Sequence, residues 1–224
     1  MNEKTRSHRG VLMLCEGAIM VVLAQILGYI KVWEMPWGGS ITLFSMLPIC
    51  LVSIKYGIKW GLGVAFCYSW FQILQGAVFA WGLTPGMLIA SLLLDYIVAF
   101  TVLGLAGMFR KKGTAGMLCG IGLVCVLRFL VHFVAGVVLW ANLEEFVAFG
   151  QEWVGRPVLY SICYNGAYML PETVLTVVIA AILLGVPQIK RLLTVSNAPL
   201  PTVASHVAAK LDEESAKKEN NKEQ

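Results

Sequence analysis

The chain has 224 residues, 58% of them hydrophobic and 13% charged, with a mean hydropathy of +0.75; an ordinary soluble domain is ~25% charged. A soluble fold of this size cannot hide so much apolar surface. The net charge of +4 does not mark a nucleic-acid binder either, because the basic residues gather at the borders of apolar runs.

A bilayer-crossing helix needs roughly 20 mainly apolar residues, since its backbone must satisfy its own hydrogen bonds where water is absent. Six stretches fit: residues 10 to 30, 41 to 54, 58 to 81, 86 to 109, 115 to 140 and 158 to 186. The expectation is an all-α integral membrane protein of six transmembrane helices. Residues 1 to 9 form an N-terminal arm, 10 to 190 the membrane domain and 191 to 224 a tail. No small-residue cleavage site follows the first apolar run, so it stays as a span.

The arm carries Lys4, Arg6 and Arg9, and the first span holds Glu16 about two turns from its near end. The connection KVWEMPWGGSIT then combines Trp33, Pro36, Trp37 and the Gly38-Gly39 pair. That composition suits a shaped loop over a cavity, or an aromatic belt at the membrane surface. The second stretch is short and carries Pro48, so it spans only by borrowing flanking residues or lying deep among its neighbours. Lys55 and Lys59 bracket the next turn, and Arg110, Lys111 and Lys112 the one after the fourth span. Gly116 and Gly120 form a GxxxG that permits close helix packing. The connection ANLEEFVAFGQEWVGRP, with Glu144, Glu145, Glu152 and Trp153, reads as an amphipathic segment on the outer surface. The tail ends LDEESAKKENNKEQ, a mixed-charge, weakly hydrophobic composition that predicts disorder.

Of 17 Lys and Arg, 14 lie in the arm, those two turns and the chain from Lys190 onward. With six spans all four places share one side, which the positive-inside rule makes cytoplasmic, so both termini are inside. The six cysteines (Cys15, Cys50, Cys67, Cys119, Cys125, Cys163) lie within or beside apolar segments with no CxxC pairing. They read as buried, inert thiols, and neither a metal nor another cofactor is expected. No internal repeat of the inverted-repeat transporter kind is present.

Ionisable residues inside a span are costly and point into a bundle or cavity, which makes each a functional candidate. They are Glu16, Asp95, Arg128, His132 and Glu172. At about 1.5 Å per residue, Asp95 lies roughly 13 Å in from the outer end of the fourth span. His132 lies roughly 12 Å below that of the fifth, and Asn165 roughly 10 Å down the sixth. Three polar side chains on three helices thus share one level, with Trp140 two turns above His132 and Tyr160 at the mouth of the sixth span. Each admits a plainer role: Asp95 paired with Arg128, His132 as a packing residue, Asn165 bridging helices. Arg128 shares a helix face with His132 and sits nearer midplane, where it holds Asp95 or closes the cavity floor. Glu172 follows Pro171, a structural position.

A carboxylate desolvated among Trp, Tyr and His rings favours a flat, positively charged heteroaromatic ligand. No HExxH, GxSxG or GxxxxGK[ST] motif is present, so no catalytic residue is assigned. Any ATP-driven movement of solute would rely on ATPase activity in another subunit.

The chain resembles the thiamine-specific substrate-binding (S) components of energy-coupling factor transporters. The resemblance rests on MPWGGS and MLPI (Met35 to Ser40, Met46 to Ile49), LLLDYIVAF (Leu92 to Phe100), Arg128-x-x-x-His132 with Trp140 beyond, and YSICYNGAYMLP (Tyr160 to Pro171). It covers nearly everything but the tail. It implies a six-helix S-component bundle in the bacterial cell membrane that captures thiamine under a lid formed by the first outer loop. Its partners would be a transmembrane coupling subunit and two ATPase subunits, with the lipid bilayer around it. It further implies that Asp95, His132, Trp140, Tyr160 and Asn165 bind substrate, with Tyr96 and Trp70 at further pocket positions and Trp37 reaching the ligand from the first outer loop. Some members carry Glu where this chain has Asp95, their lid tryptophan has no clean counterpart in Trp37, and their Ala-x-x-x-Ala is here Ala18 and Val22.

Two other readings stay open. One is an S component or small permease for another heteroaromatic vitamin or a nucleobase. The other is a membrane enzyme or structural protein in which Asp95 and His132 do acid-base work or pack.

Overall fold

The computed structural model describes residues 3 to 35, 38 to 140, 147 to 148, 151 to 152 and 155 to 194. The tail expected to be disordered lies almost wholly outside them, as do Glu144, Glu145 and Trp153. The chain divides into two units, Met1–Leu14 with Asn197–Gln224, and Cys15–Ser196. In the first the described part is the opening of a helix; the second holds every other described element.

That helix, α1 (Glu3–Tyr29), runs 27 residues, so the basic arm continues the first apolar helix from Glu3 onward. Its Lys, Arg and Glu are good helix formers, and no proline interrupts them. A hairpin follows: β1 (Lys31–Glu34) pairs antiparallel with β2 (Ser40–Thr42), Trp33 opposite Ile41 and Glu34 opposite Ser40. A second pair joins β3 (Val147–Ala148) to β4 (Gln151–Glu152). These hairpins qualify the all-α expectation; strands of two to four residues are too short for a period-two pattern to register.

The stretch expected as the second span is divided. Its opening is strand β2, and helix α2 (Leu47–Tyr56) begins only at the Pro48 turn. Ten residues reach ~15 Å, half of a hydrocarbon core. Leu47, Ile49, Cys50, Val52 and Ile54 are all buried, as befits a short helix wrapped by longer ones. Gly57, at φ +96°, turns the chain into α3 (Ile58–Gln75), a backbone conformation that favours glycine. A 3₁₀ turn, Ala77–Ala80, follows.

The next run is one apolar path folded double. It comprises α4 (Pro85–Ser91), a π-helical stretch (Leu92–Val98), α5 (Ala99–Thr101) and a 3₁₀ stretch (Val102–Lys112). Gly113, at φ +74°, reverses it into α6 (Gly113–Ala135) and a second π-helical stretch (Gly136–Trp140). The two legs run antiparallel, Gly120 backing on Ala106, Arg128 on Phe100 and His132 on Asp95. A Cβ at Gly120 would lie 2.1 Å from the Ala106 carbonyl oxygen, so the GxxxG does bring two backbones together. Ser53 fastens α2 to the first leg, donating to the Gly104 carbonyl and accepting from the Gly107 N–H at 2.9 Å. The chain closes with α7 (Pro157–Gly185), which contains Pro171, and α8 (Pro187–Thr194).

Among the described residues, four helical runs are long and apolar enough to cross a bilayer: Gly10–Tyr29, Ile58–Ala80, Pro85–Trp140 and Pro157–Gly185. Large apolar side chains such as Ile19, Leu74, Leu170 and Ile182 are exposed, while Ser53, Ser69, Ser91, Ser161 and Thr176 are buried. That inversion of the soluble pattern marks a multi-pass membrane protein. It also corrects the reading of the cysteines. Cys50 and Cys125 are buried, but Cys15, Cys67 and Cys119 are exposed, because a surface facing lipid is itself apolar. Glu16 is structural: it accepts hydrogen bonds from Lys55 Nζ and, at 2.6 Å, from Tyr56 Oη, tying α1 to α2.

Candidate functional site

A cavity of about 340 Å³ opens between the hairpin, α3, the Pro85–Lys112 leg, α6 and α7. Its chemistry centres on Asp95, carried by the first π-helical stretch. Oδ2 of Asp95 accepts from Trp140 Nε1 at 2.9 Å and from Ser91 Oγ at 3.2 Å. Oδ1 lies 3.0 Å from His132 Nδ1, which donates to the carboxylate in the tautomer this network favours. His132 Nε2 then has no hydrogen-bond partner among the described residues. Two helix legs and two π turns therefore converge on one carboxylate.

Asn165, the third residue counted to this depth, joins the same cluster. Its Nδ2 donates to the His132 carbonyl at 3.2 Å and to the Ser161 carbonyl at 3.0 Å, and its Oδ1 accepts from Tyr168 Oη at 3.0 Å. The amide thus bridges α6 to α7, the plainer of its two expected roles. One acceptor site on Oδ1 is left over, and Asn165 lines the cavity.

Rings complete the walls. Tyr160, Tyr164 and Tyr168 recur every fourth residue of α7 and so share one face; the first two rings lie 5.5 Å apart. Trp81 meets Trp140 edge to face at 5.3 Å. Tyr96 also lines the cavity and fits only because residue 76 is glycine, where a Cβ would lie 2.3 Å from its hydroxyl.

Of the other two expected residues, one stands apart and one is not described. Trp70 is 55% exposed and sits against Phe66, apart from the residues lining the cavity. Trp37 lies outside the described residues. Conversely, the sequence did not single out Trp81, Tyr164, Tyr168 or Ser91. The tyrosines carried a signal in their four-residue spacing; Trp81, past the end of α3, carried none.

Arg128 lines the cavity without pairing to Asp95. Its guanidinium stands over the Phe100 ring, 4.4 Å from the centroid, and donates to Met46 Sδ at 2.8 Å. Among the described residues no carboxylate lies at ion-pair distance from it. The partner of Asp95 is His132.

Fold and site together define a helical, multi-pass membrane protein with a solute-sized cavity in which a carboxylate is framed by aromatic rings. The chain belongs to the family described as thiamine transporter protein (Thia_YuaJ), which it matches over residues 14–191. It is 31% identical to the thiamine transporter ThiT of Bacillus subtilis (strain 168) over 185 residues, 76% of this chain and 88% of that protein. Over 201 residues it is 27% identical to the thiamine transporter ThiT of Lacticaseibacillus paracasei, 82% of this chain and 92% of that one. A solved structure of ThiT from Listeria monocytogenes shares its fold, with a TM-score of 0.63, 24% identity and coverage of 80% of this chain and 97% of that one.

Proposed function

We propose that this chain captures thiamine as the substrate-binding subunit of an energy-coupling factor transporter. Family membership supports the transport role, and the observation that carries the ligand is Asp95, held by Trp140, Ser91 and His132 in an aromatic cavity. Of the charged residues lining that cavity, Lys31 pairs with Glu34, leaving Arg128 against Asp95 and Glu172. Thiamine carries one fixed positive charge on its thiazolium ring and an aminopyrimidine that both donates and accepts. Tyr160, Tyr164 and Trp140 offer ring faces to both heterocycles.

The proposed substrate-binding residues are Asp95, His132, Trp140, Tyr160, Asn165 and Tyr96. Trp37 is kept as a candidate from the first outer loop, and Trp70 has no support from its position. In the cell membrane the chain would cross six times with both termini inside, as the clustering of Lys55, Lys59 and Arg110 to Lys112 at alternate turns favours. A transmembrane coupling subunit and two separate ATPase subunits would complete the transporter and supply its energy.

The test is titration of the detergent-solubilised chain, without partners, with thiamine, riboflavin and adenine while tryptophan fluorescence is followed. Saturable quenching by thiamine alone is expected. A response to another ring compound and none to thiamine would overturn the assignment of the ligand.

A further inference from the structure

Glu172 is 2% exposed, yet both oxygens of its carboxylate face a single residue of the first outer hairpin. Oε2 accepts from the Thr42 backbone N–H at 2.5 Å and Oε1 from Thr42 Oγ1 at 2.6 Å. Ser45 Oγ lies 2.7 Å from that same Thr42 hydroxyl. Two turns earlier on α7, Tyr164 Oη accepts from the Gly39 N–H at 3.3 Å. Gly39 lies so close to α7 that a Cβ there would sit 2.8 Å from the Tyr168 ring. Strand β2 and the Gly39 that precedes it are therefore stitched along α7 at two levels. Met35, Gly39, Ser40 and Thr42 on the hairpin, and Tyr164, Tyr168 and Glu172 on α7, all line one cavity.

The two ties differ in strength. The Tyr164 hydroxyl makes one long hydrogen bond at 3.3 Å, whereas the Glu172 carboxyl group makes two short ones to a single residue. Separating Thr42 from Glu172 leaves a buried carboxylate with neither donor, so the step is costly and discrete.

We propose that Glu172 is a positioning residue that clasps Thr42, holds the hairpin against α7, and by its opening sets how fast ligand enters and leaves the cavity. The inference rests on the ligand reading above. It requires no contact between Glu172 and the ligand.

The experiment is stopped-flow tryptophan fluorescence of the full chain in detergent, with thiamine, for wild type, T42V, T42S, E172Q and T42V/E172Q. T42V removes the hydroxyl donor, with its contact to Ser45, and keeps the backbone one, while E172Q replaces one acceptor oxygen. Each is expected to raise the dissociation rate at least about fivefold and the association rate with it, so that Kd moves less than either rate. The double variant should exceed the larger single effect by no more than about twofold, because one clasp is broken once. T42S should match wild type. Unchanged dissociation from T42V overturns the clasp. So does a loss of affinity in E172Q with no counterpart in T42V, which would make Glu172 a direct ligand group. Hydrogen exchange of the peptide spanning Ser40 to Thr42, measured without ligand, separates the two readings. Faster exchange in E172Q with no thiamine signal from wild type would sink the ligand and spare the hydrogen-bonded tie, while unchanged exchange would sink the tie itself.

Discussion

The indole N–H of Trp140 donates to Oδ2 of Asp95 at 2.9 Å, and each of these residues lies on a π-helical stretch. Such turns are rare and concentrate at functional sites, where their wider winding re-aims a side chain. Here two of them meet through that hydrogen bond. His132, in the last turn of the regular helix α6, faces the other oxygen.

Asp95→Asn tests the charge while keeping the shape. The amide still accepts from Trp140 but no longer offers a negative charge to a cation. Thiamine affinity should fall more than tenfold, about 1.4 kcal/mol or more, in calorimetric titration. An unchanged Kd would remove Asp95 from the site.

Trp140→Phe and Trp70→Phe form a matched pair. The first removes a wall of the cavity and a donor to Asp95, and should abolish most of the thiamine-dependent quenching while weakening binding about tenfold or more, as a charged hydrogen bond worth ~1.5–3 kcal/mol implies. The second alters a residue 55% exposed beside Phe66 and should leave affinity and quenching amplitude as they were. Equal effects from the two would refute this placement of the ligand.

Three glycines separate fold from site. Gly120→Ala drives a methyl to 2.1 Å from the Ala106 carbonyl and should cost ~1–3 kcal/mol of stability, read as a lower midpoint in thermal unfolding in detergent. Gly136→Ala places its methyl 2.3 Å from Ser161 Oγ and 3.1 Å from Asn165 Nδ2, so ligand affinity should fall as the bridge from α6 to α7 shifts. Gly122→Ala meets nothing within 4 Å and should leave both readouts at wild-type values.

Orientation is tested at the basic turn. In a background with all six cysteines replaced, K112C should react with an impermeant maleimide in inside-out vesicles and stay unlabelled in right-side-out ones. The reverse pattern would invert the proposed topology.

Counting residues along apolar runs placed Asp95, His132 and Asn165 at one depth, and the structure links the three through hydrogen bonds. Depth is legible because rise per residue is nearly constant. Direction around the helix is not: a π turn shifts every later side chain, and nothing in LLLDYIV announces one. Trp70, which the resemblance alone put at the pocket, lies within α3 on an exposed face. The hairpin and the shortness of α2 were hidden for another reason, since the hydropathy of residues 41 to 54 is that of a span whether or not the backbone is helical throughout. Arg128 illustrates the limit of pairing by depth, as its guanidinium settles over Phe100 while His132 takes the carboxylate.

The π-helical stretch Leu92–Val98 has an evolutionary corollary. Each residue of an α-helix turns the chain by about 100°. Loss of one codon between Leu92 and Leu94 would leave an equally greasy segment, one that inserts as readily, but would swing the carboxylate away from the cavity. Substitution scans never sample that lesion. If Asp95 binds the ligand as proposed, the length of this helix matters as much as its letters, and lineages that drop a residue there should be found to have changed or lost their ligand.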